Sequence, residues 1–124
     1  MDNQKNILLI EDDELIREMY QSELEAAGFK TSAFGTGKEG LAAAQGNHFD
    51  LLLLDIMLPD TNGLDILKTL KSQEATKYIK VVLLTNLGQD SIIKEGFQLG
   101  AEGYLIKVSY NPDQIVAEVK NFLK

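Results

Sequence analysis

The chain has no cysteine and no tryptophan, and only 2 prolines and 1 histidine among its 124 residues. Without cysteine there is no disulfide scaffold, no thiolate zinc site and no cysteine nucleophile, and a reducing compartment suits such a chain. Basic side chains are also in deficit: 12 Lys and Arg stand against 19 Asp and Glu, a net charge of −7. That is the wrong sign for neutralising nucleic-acid phosphates. No apolar run approaches the roughly 20 residues that cross a bilayer. The opening MDNQKNILLIEDDE lacks the basic start and longer apolar stretch of a signal peptide. The expectation is a cytoplasmic protein with no membrane insertion and no direct nucleic-acid partner. It should fold as one domain over 1–124, with a core large enough to need no staples.

What the chain does have is a regular alternation of short apolar runs and helical patterns. NILLI (Asn6 to Ile10) precedes a segment in which Ile16, Met19, Tyr20, Leu24 and Ala27 fall at helical spacing, closed by Gly28. KTSAF (Lys30 to Phe34) reads as a more polar strand and TGKEGLAAAQGN as a helix ending near Gly46. After a third apolar run, GLDILKTLKSQ (Gly63 to Gln73) sets Leu64, Ile66, Leu67 and Leu70 to one side. KVVLLT (Lys80 to Thr85) and DSIIKEGFQLG form the fourth pair, GYLIK (Gly103 to Lys107) and NPDQIVAEVKNFLK the fifth. Asn111, Pro112 and Gln114 suit the N-cap, first-turn and capping-box positions of that last helix, with Ile115, Val119, Phe122 and Leu123 as its apolar stripe. Five such pairs predict an α/β fold: a doubly wound, five-stranded parallel sheet of the flavodoxin-like (βα)5 kind. The strand order is 2-1-3-4-5, with the weaker second and fifth strands at the edges. No linker or repeat is visible, and no output domain is expected in this chain.

In DLLLLDIMLPDTNG (Asp50 to Gly63), four consecutive leucines describe a strand buried on both faces, and Asp55 stands at its carboxyl tip before a turn of Pro59, Asp60, Asn62 and Gly63. Ligands in such sheets collect outside the carboxyl ends of the strands, where the order reverses, here between the first and third. Glu11 and Asp12 follow the first strand, so three carboxylates should share that pocket. Like charges about 5 Å apart repel by roughly 3 kcal/mol at an effective dielectric near 20, and a hard divalent cation such as Mg²⁺ meets the need. Asp13 suits the cap of the first helix instead. Thr85 brings a hydroxyl to the end of the fourth strand, and Lys107 an ammonium to the end of the fifth. Two strands with acids, one with a hydroxyl and one with an ammonium jointly describe a phosphoryl group.

With the acidic pair Glu11 and Asp12, LLLLDIMLPDTNG around Asp55, VVLLTN around Thr85 and GYLIK around Lys107, the chain resembles a receiver domain of the two-component response regulators over essentially its whole length. The resemblance implies that Asp55 accepts a phosphoryl group from a phosphohistidine on a sensor histidine kinase or histidine phosphotransfer protein. It implies Mg²⁺ held by Asp12, Asp55 and the backbone carbonyl of Met57, with Glu11 acting through water. Thr85 and Lys107 would contact the phosphoryl oxygens, and Thr85 with Tyr104 would form a switch acting on the face of the fourth helix, fifth strand and fifth helix. Such a chain catalyses its own phosphorylation and dephosphorylation but is primarily a signalling switch, with an unknown downstream protein target. Met57 and Leu87 would flank the path of the attacking water, and apolar groups there predict slow dephosphorylation. One departure stands out: receivers usually follow this lysine with a proline after a cis bond. Here Val108 predicts a trans bond, since cis before a non-proline residue costs about 2.5–4 kcal/mol, and a different course for the loop to Asn111.

Other classes fit less well. A haloacid-dehalogenase-like phosphatase would carry a second acid where Met57 stands. A flavodoxin-like flavin carrier would need a glycine- and hydroxyl-rich loop where EDDE would repel a phosphate. The alternative, which the intact site argues against, is a phosphorylation-independent, receiver-like protein-interaction module. His48, in QGNHFD, reads as a loop residue away from the pocket.

Overall fold

The structure, a computed structural model, describes residues 4–86, 89–107 and 111–124. Among these, strands β1 (Asn6–Ile10), β2 (Lys30–Phe34), β3 (Leu51–Asp55), β4 (Lys80–Thr85) and β5 (Gly103–Ile106) alternate with helices α1 (Glu14–Ala26), α2 (Gly37–Gly46), α3 (Gly63–Ser72), α4 (Asp90–Gln98) and α5 (Pro112–Leu123). All neighbouring strands pair in parallel, in the expected order β2-β1-β3-β4-β5.

The run of four leucines is explained by the two cores it serves. Successive side chains of a strand point to opposite faces. Leu52 and Leu54 therefore join Leu8, Ile10, Val81 and Leu83 under α2 and α3, while Leu51 and Leu53 join Ile7, Leu9, Val82, Leu84 and Leu105 under α1 and α5. Each such side chain contributes roughly 1.5–3 kcal/mol on burial, and a polar residue anywhere in the run would be stranded without water. The edge strands are more exposed, β2 reading polar for that reason.

Helix ends follow local chemistry. Asp13 caps α1, its Oδ1 accepting from the Ile16 N–H at 3.0 Å. Gly28, at φ 97°, closes that helix as its own N–H reaches Glu25 O and the Phe29 N–H reaches Leu24 O, both at 3.0 Å. Of the stripe expected on α1, Tyr20 and Leu24 are buried. Met19 lies on the flank of that stripe and is 39% exposed, and Ala27 is exposed because it is already the C-cap, past the last turn. Helix α3 stops at Ser72, one residue short of the expectation, because Gln73 turns extended as the C-cap. Gln114 Oε1 accepts from the Asn111 N–H at 2.7 Å, closing the start of α5. The expectations placed on Leu87 and on the Lys107–Val108 bond lie outside the described residues.

Candidate functional site

The sheet register aligns the predicted residues at one edge. Asp55 is level with Leu84 and Leu105, Thr85 stands one residue further, level with Ile106, and Lys107 follows Ile106, so the carboxyl ends of β3, β4 and β5 present an acid, a hydroxyl and an ammonium in successive one-residue steps along one edge. Glu11 and Asp12 arrive from β1, beside β3 in the sheet. Helix α3 can begin so close to this edge because residue 63 is glycine. A Cβ there would lie 2.5 Å from Asp55 O and 2.8 Å from Ile56 Cα, and the Gly63 N–H donates to Ile56 O at 2.7 Å.

The pocket so formed is lined by Glu11, Asp12, Asp55, Met57, Asn86 and Lys107, with Met19 on its α1 side. Asp55 is only 3% exposed and Glu11 fully buried. The Lys107 ammonium stands between them, Nζ 2.7 Å from Glu11 Oε1 and 3.0 Å from Asp55 Oδ2. The first contact is a close ion pair rather than an aligned hydrogen bond. Burial works against the charge on Lys107, but Glu11 and Asp55 outweigh it and hold the ammonium above its usual range. For Asp55 the balance goes the other way: burial, then the charge of Glu11 and the neighbouring Asp12, push its carboxyl up to about 7 despite Lys107. Burial also opposes ionisation of Asp12, yet hydrogen bonding with Asp55 and Glu11, helped by Lys107, holds it below the usual carboxylate range. Asp12 lies at the exposed mouth.

Thr85 Oγ1 is buried without a hydrogen-bond partner among the described residues. Thr31 Oγ1 on the edge strand shares that state, so the orphan hydroxyl alone marks nothing; its place beside Asp55 and Lys107 in the register is what gives it meaning. Met57 donates its N–H to Asp55 Oδ1 at 3.1 Å, and its side chain is 58% exposed at the mouth. Tyr104 is 40% exposed and lies edge-on to Phe97, with ring centroids 6.1 Å apart. His48 is a loop residue remote from these groups, held by Asp50 at 3.3 Å and by the Tyr78 hydroxyl at 2.9 Å.

Two residues of the neighbourhood carry no sign in the sequence of the contacts they make. Arg17 Nη1 donates to the backbone oxygens of Glu11 at 2.8 Å and Asp12 at 3.3 Å, fixing the loop that bears both acids. Asp60, legible only as a turn residue, reaches across to α2. Both act on backbone groups of other segments, which neither spacing nor composition displays.

Glu11, Asp12 and Asp55 each offer an oxygen within 4.8 Å of the others. Hard oxygen donors at that spacing suit Mg²⁺, which typically takes one or two protein carboxylates and keeps waters. With Asp55 ionised, three carboxylates face one ammonium, and a divalent cation matches the charge left over.

Comparison with known proteins agrees with this geometry. The family model described as the response regulator receiver domain matches residues 7–120. The chain is 33% identical over 122 residues to the polar-differentiation response regulator DivK of Brucella ovis, covering 96% of each. It is 42% identical over 101 residues to the transcriptional activator protein PfeR of Pseudomonas aeruginosa, covering 82% of this chain but spanning only 32% of that protein. Its structure is similar to that of chemotaxis response regulator CheY4 of Vibrio cholerae, with a TM-score of 0.90 and 28% identity over 98% of this chain and 100% of that one. No helix among the described residues is long and apolar enough to cross a membrane. A five-stranded parallel sheet in order 2-1-3-4-5, an acidic cluster able to hold a metal at its carboxyl edge, and a family match over nearly the whole chain together make this protein a member of the response regulator receiver domains.

Proposed function

We propose that this receiver is the phosphoacceptor of a two-component phosphorelay, with Asp55 as the nucleophile and a phosphohistidine on a sensor histidine kinase or histidine phosphotransfer protein as the donor. An Asp55 carboxylate oxygen bonds to phosphorus as the phosphorus–nitrogen bond of the donor breaks, and the imidazole leaves with a proton. Mg²⁺, held by Asp12, Asp55 and the Met57 backbone carbonyl and through water by Glu11, would supply neutralisation of the phosphoryl oxygens. The Lys107 ammonium passes from the Asp55 carboxylate to a phosphoryl oxygen, and the Thr85 hydroxyl finds its acceptor there. Water later cleaves the acyl phosphate, returning carboxylate and inorganic phosphate.

Movement of Thr85 toward the phosphoryl group leaves room for Tyr104 to turn inward, which biases a pre-existing equilibrium of the α4, β5 and α5 face. The chain is then a cytoplasmic switch that catalyses its own phosphorylation, read by a protein target. The observation that carries the reading is the buried Asp55 carboxylate at a strand tip, 3.0 Å from Lys107 and grouped with two further acids. Incubation with Mg²⁺ and acetyl phosphate tests it: intact mass should show one added phosphoryl group, absent in Asp55→Asn.

A further inference from the structure

The loop between β3 and α3 is tied down from outside the pocket. Asp60 Oδ1 accepts from the Gly37 N–H at 2.8 Å and Asp60 Oδ2 from the Lys38 N–H at 2.9 Å. One carboxylate therefore takes both of the first amides of α2, while Thr36 Oγ1 accepts the next, from Glu39, at 3.2 Å. Those amides hold the Asp60 carboxyl below the usual carboxylate range. The contact is close-fitting: a Cβ on Gly37 would lie 2.3 Å from Thr61 Cγ2 and 2.8 Å from Ile66 Cδ1. At its other end the same loop begins with Met57, whose N–H is bonded to Asp55, and it is pinched by a bridge between Met57 and Asn62. The segment from Met57 to Asn62 is thus a short closed loop, held at its start by the Asp55 carboxylate, at its end by Asn62 Oδ1, which accepts from the Leu64 N–H at 2.8 Å, and between them by the grip of Asp60 on α2, which ties it to a separate element.

We infer that Asp60 is a positioning residue for the cation site, holding the Met57 segment against Asp55 through the start of α2. The inference rests on the Mg²⁺ reading above. Coupling of this kind is reciprocal: if the grip on α2 favours cation binding, cation binding must tighten the grip.

The test compares Mg²⁺ dissociation constants of the native chain, Asp60→Ala, Asp60→Asn and Thr36→Ala by thermal-shift titration, together with amide hydrogen exchange of Gly37 and Lys38. Asp60→Ala should weaken Mg²⁺ binding about tenfold, at the low end of what loss of a supporting contact costs a metal site. Asp60→Asn removes the same charge but keeps one acceptor, so it should recover part of that loss. Thr36→Ala removes the other cap of the same helix and should lower stability while leaving the dissociation constant at its native value. Mg²⁺ should slow exchange of the Gly37 and Lys38 amides in the native protein. Equal Mg²⁺ affinities in Asp60→Ala and Thr36→Ala, or exchange at Gly37 and Lys38 that ignores Mg²⁺, would overturn the inference while leaving the cation site standing. A native chain that binds no Mg²⁺ would overturn the site itself and the inference with it.

Discussion

Lys107 Nζ lies 3.0 Å from Asp55 Oδ2, although the loop that follows Lys107 departs from the family's usual proline. The lysine reaches the acid because β5 keeps its register with β4 up to Ile106, and the four-carbon side chain spans the remainder. The same ammonium also touches Glu11, so it acts as the internal counter-ion of a site whose acids would otherwise repel one another.

The raised pKa of Asp55 fixes one pH dependence. A carboxyl at about 7 in the folded chain and near 3.8 when unfolded binds more protons in the native state, so native stability falls as pH rises between those values. The lowered pKa of Asp12 acts the opposite way but only near and below 3.8, and that of Lys107 acts only at and above 10.5. Asp55→Asn, which cannot ionise, should therefore be more stable than the native chain at pH 8 without Mg²⁺, on the order of 1–3 kcal/mol. The difference should shrink toward pH 5. Urea denaturation at both pH values measures it, and a native chain equal to or more stable than the variant at pH 8 would contradict the account.

Mg²⁺ should raise the melting temperature, because a ligand bound only by the native state stabilises it by about 1.4 kcal/mol at tenfold its dissociation constant. Asp12→Ala should lose that rise. Since a proton on Asp55 competes with the cation, apparent Mg²⁺ affinity should fall by up to about tenfold per pH unit below 7. Equal shifts in native and Asp12→Ala chains would refute the site.

Much of the fold and of the placing of the acidic pocket is legible in the sequence, and the reason lies in which contacts are local. Four leucines ending in Asp55 can only be a strand buried on both sides, and its tip is then a ligand-facing edge. Asp13 and Asn111 announce helix starts because capping is settled within one turn. Met19 shows the limit: its spacing puts it near the α1 stripe, but whether a flanking position is covered depends on how α1 sits against the sheet, and here it opens onto the pocket. Arg17 and Asp60 show the other limit, since their partners are backbone groups on segments brought close only by the fold. Tyr104 is legible as an edge-strand aromatic, but its packing on Phe97 needed the placement of α4.

That packing carries its own prediction. An edge-to-face aromatic pair contributes about 0.5–1.5 kcal/mol, and it must break for Tyr104 to turn inward. Phe97→Ala should raise the inward population by about two- to tenfold, seen in the ring resonances of labelled Tyr104 without phosphorylation. Unchanged resonances would show that Phe97 does not hold the outward arrangement.

Met57 offers an apolar wall at the mouth, and Leu87 is its expected counterpart. Replacing them with groups that can orient water, Met57→Asn with Leu87→Glu, should shorten the lifetime of the acyl phosphate on the order of tenfold, about 1.4 kcal/mol of barrier. The decay of phosphorylated protein after removal of the donor gives the rate, and no acceleration would count against a drying role.

The most direct measurement is the mass of the intact chain after incubation with Mg²⁺ and acetyl phosphate, repeated with Asp55→Asn and with Mg²⁺ chelated. The native chain should gain a single phosphoryl group, lost in the variant and lost without the cation. A phosphoryl group that persists in Asp55→Asn, or a native chain that takes none up, would contradict the phosphoacceptor reading.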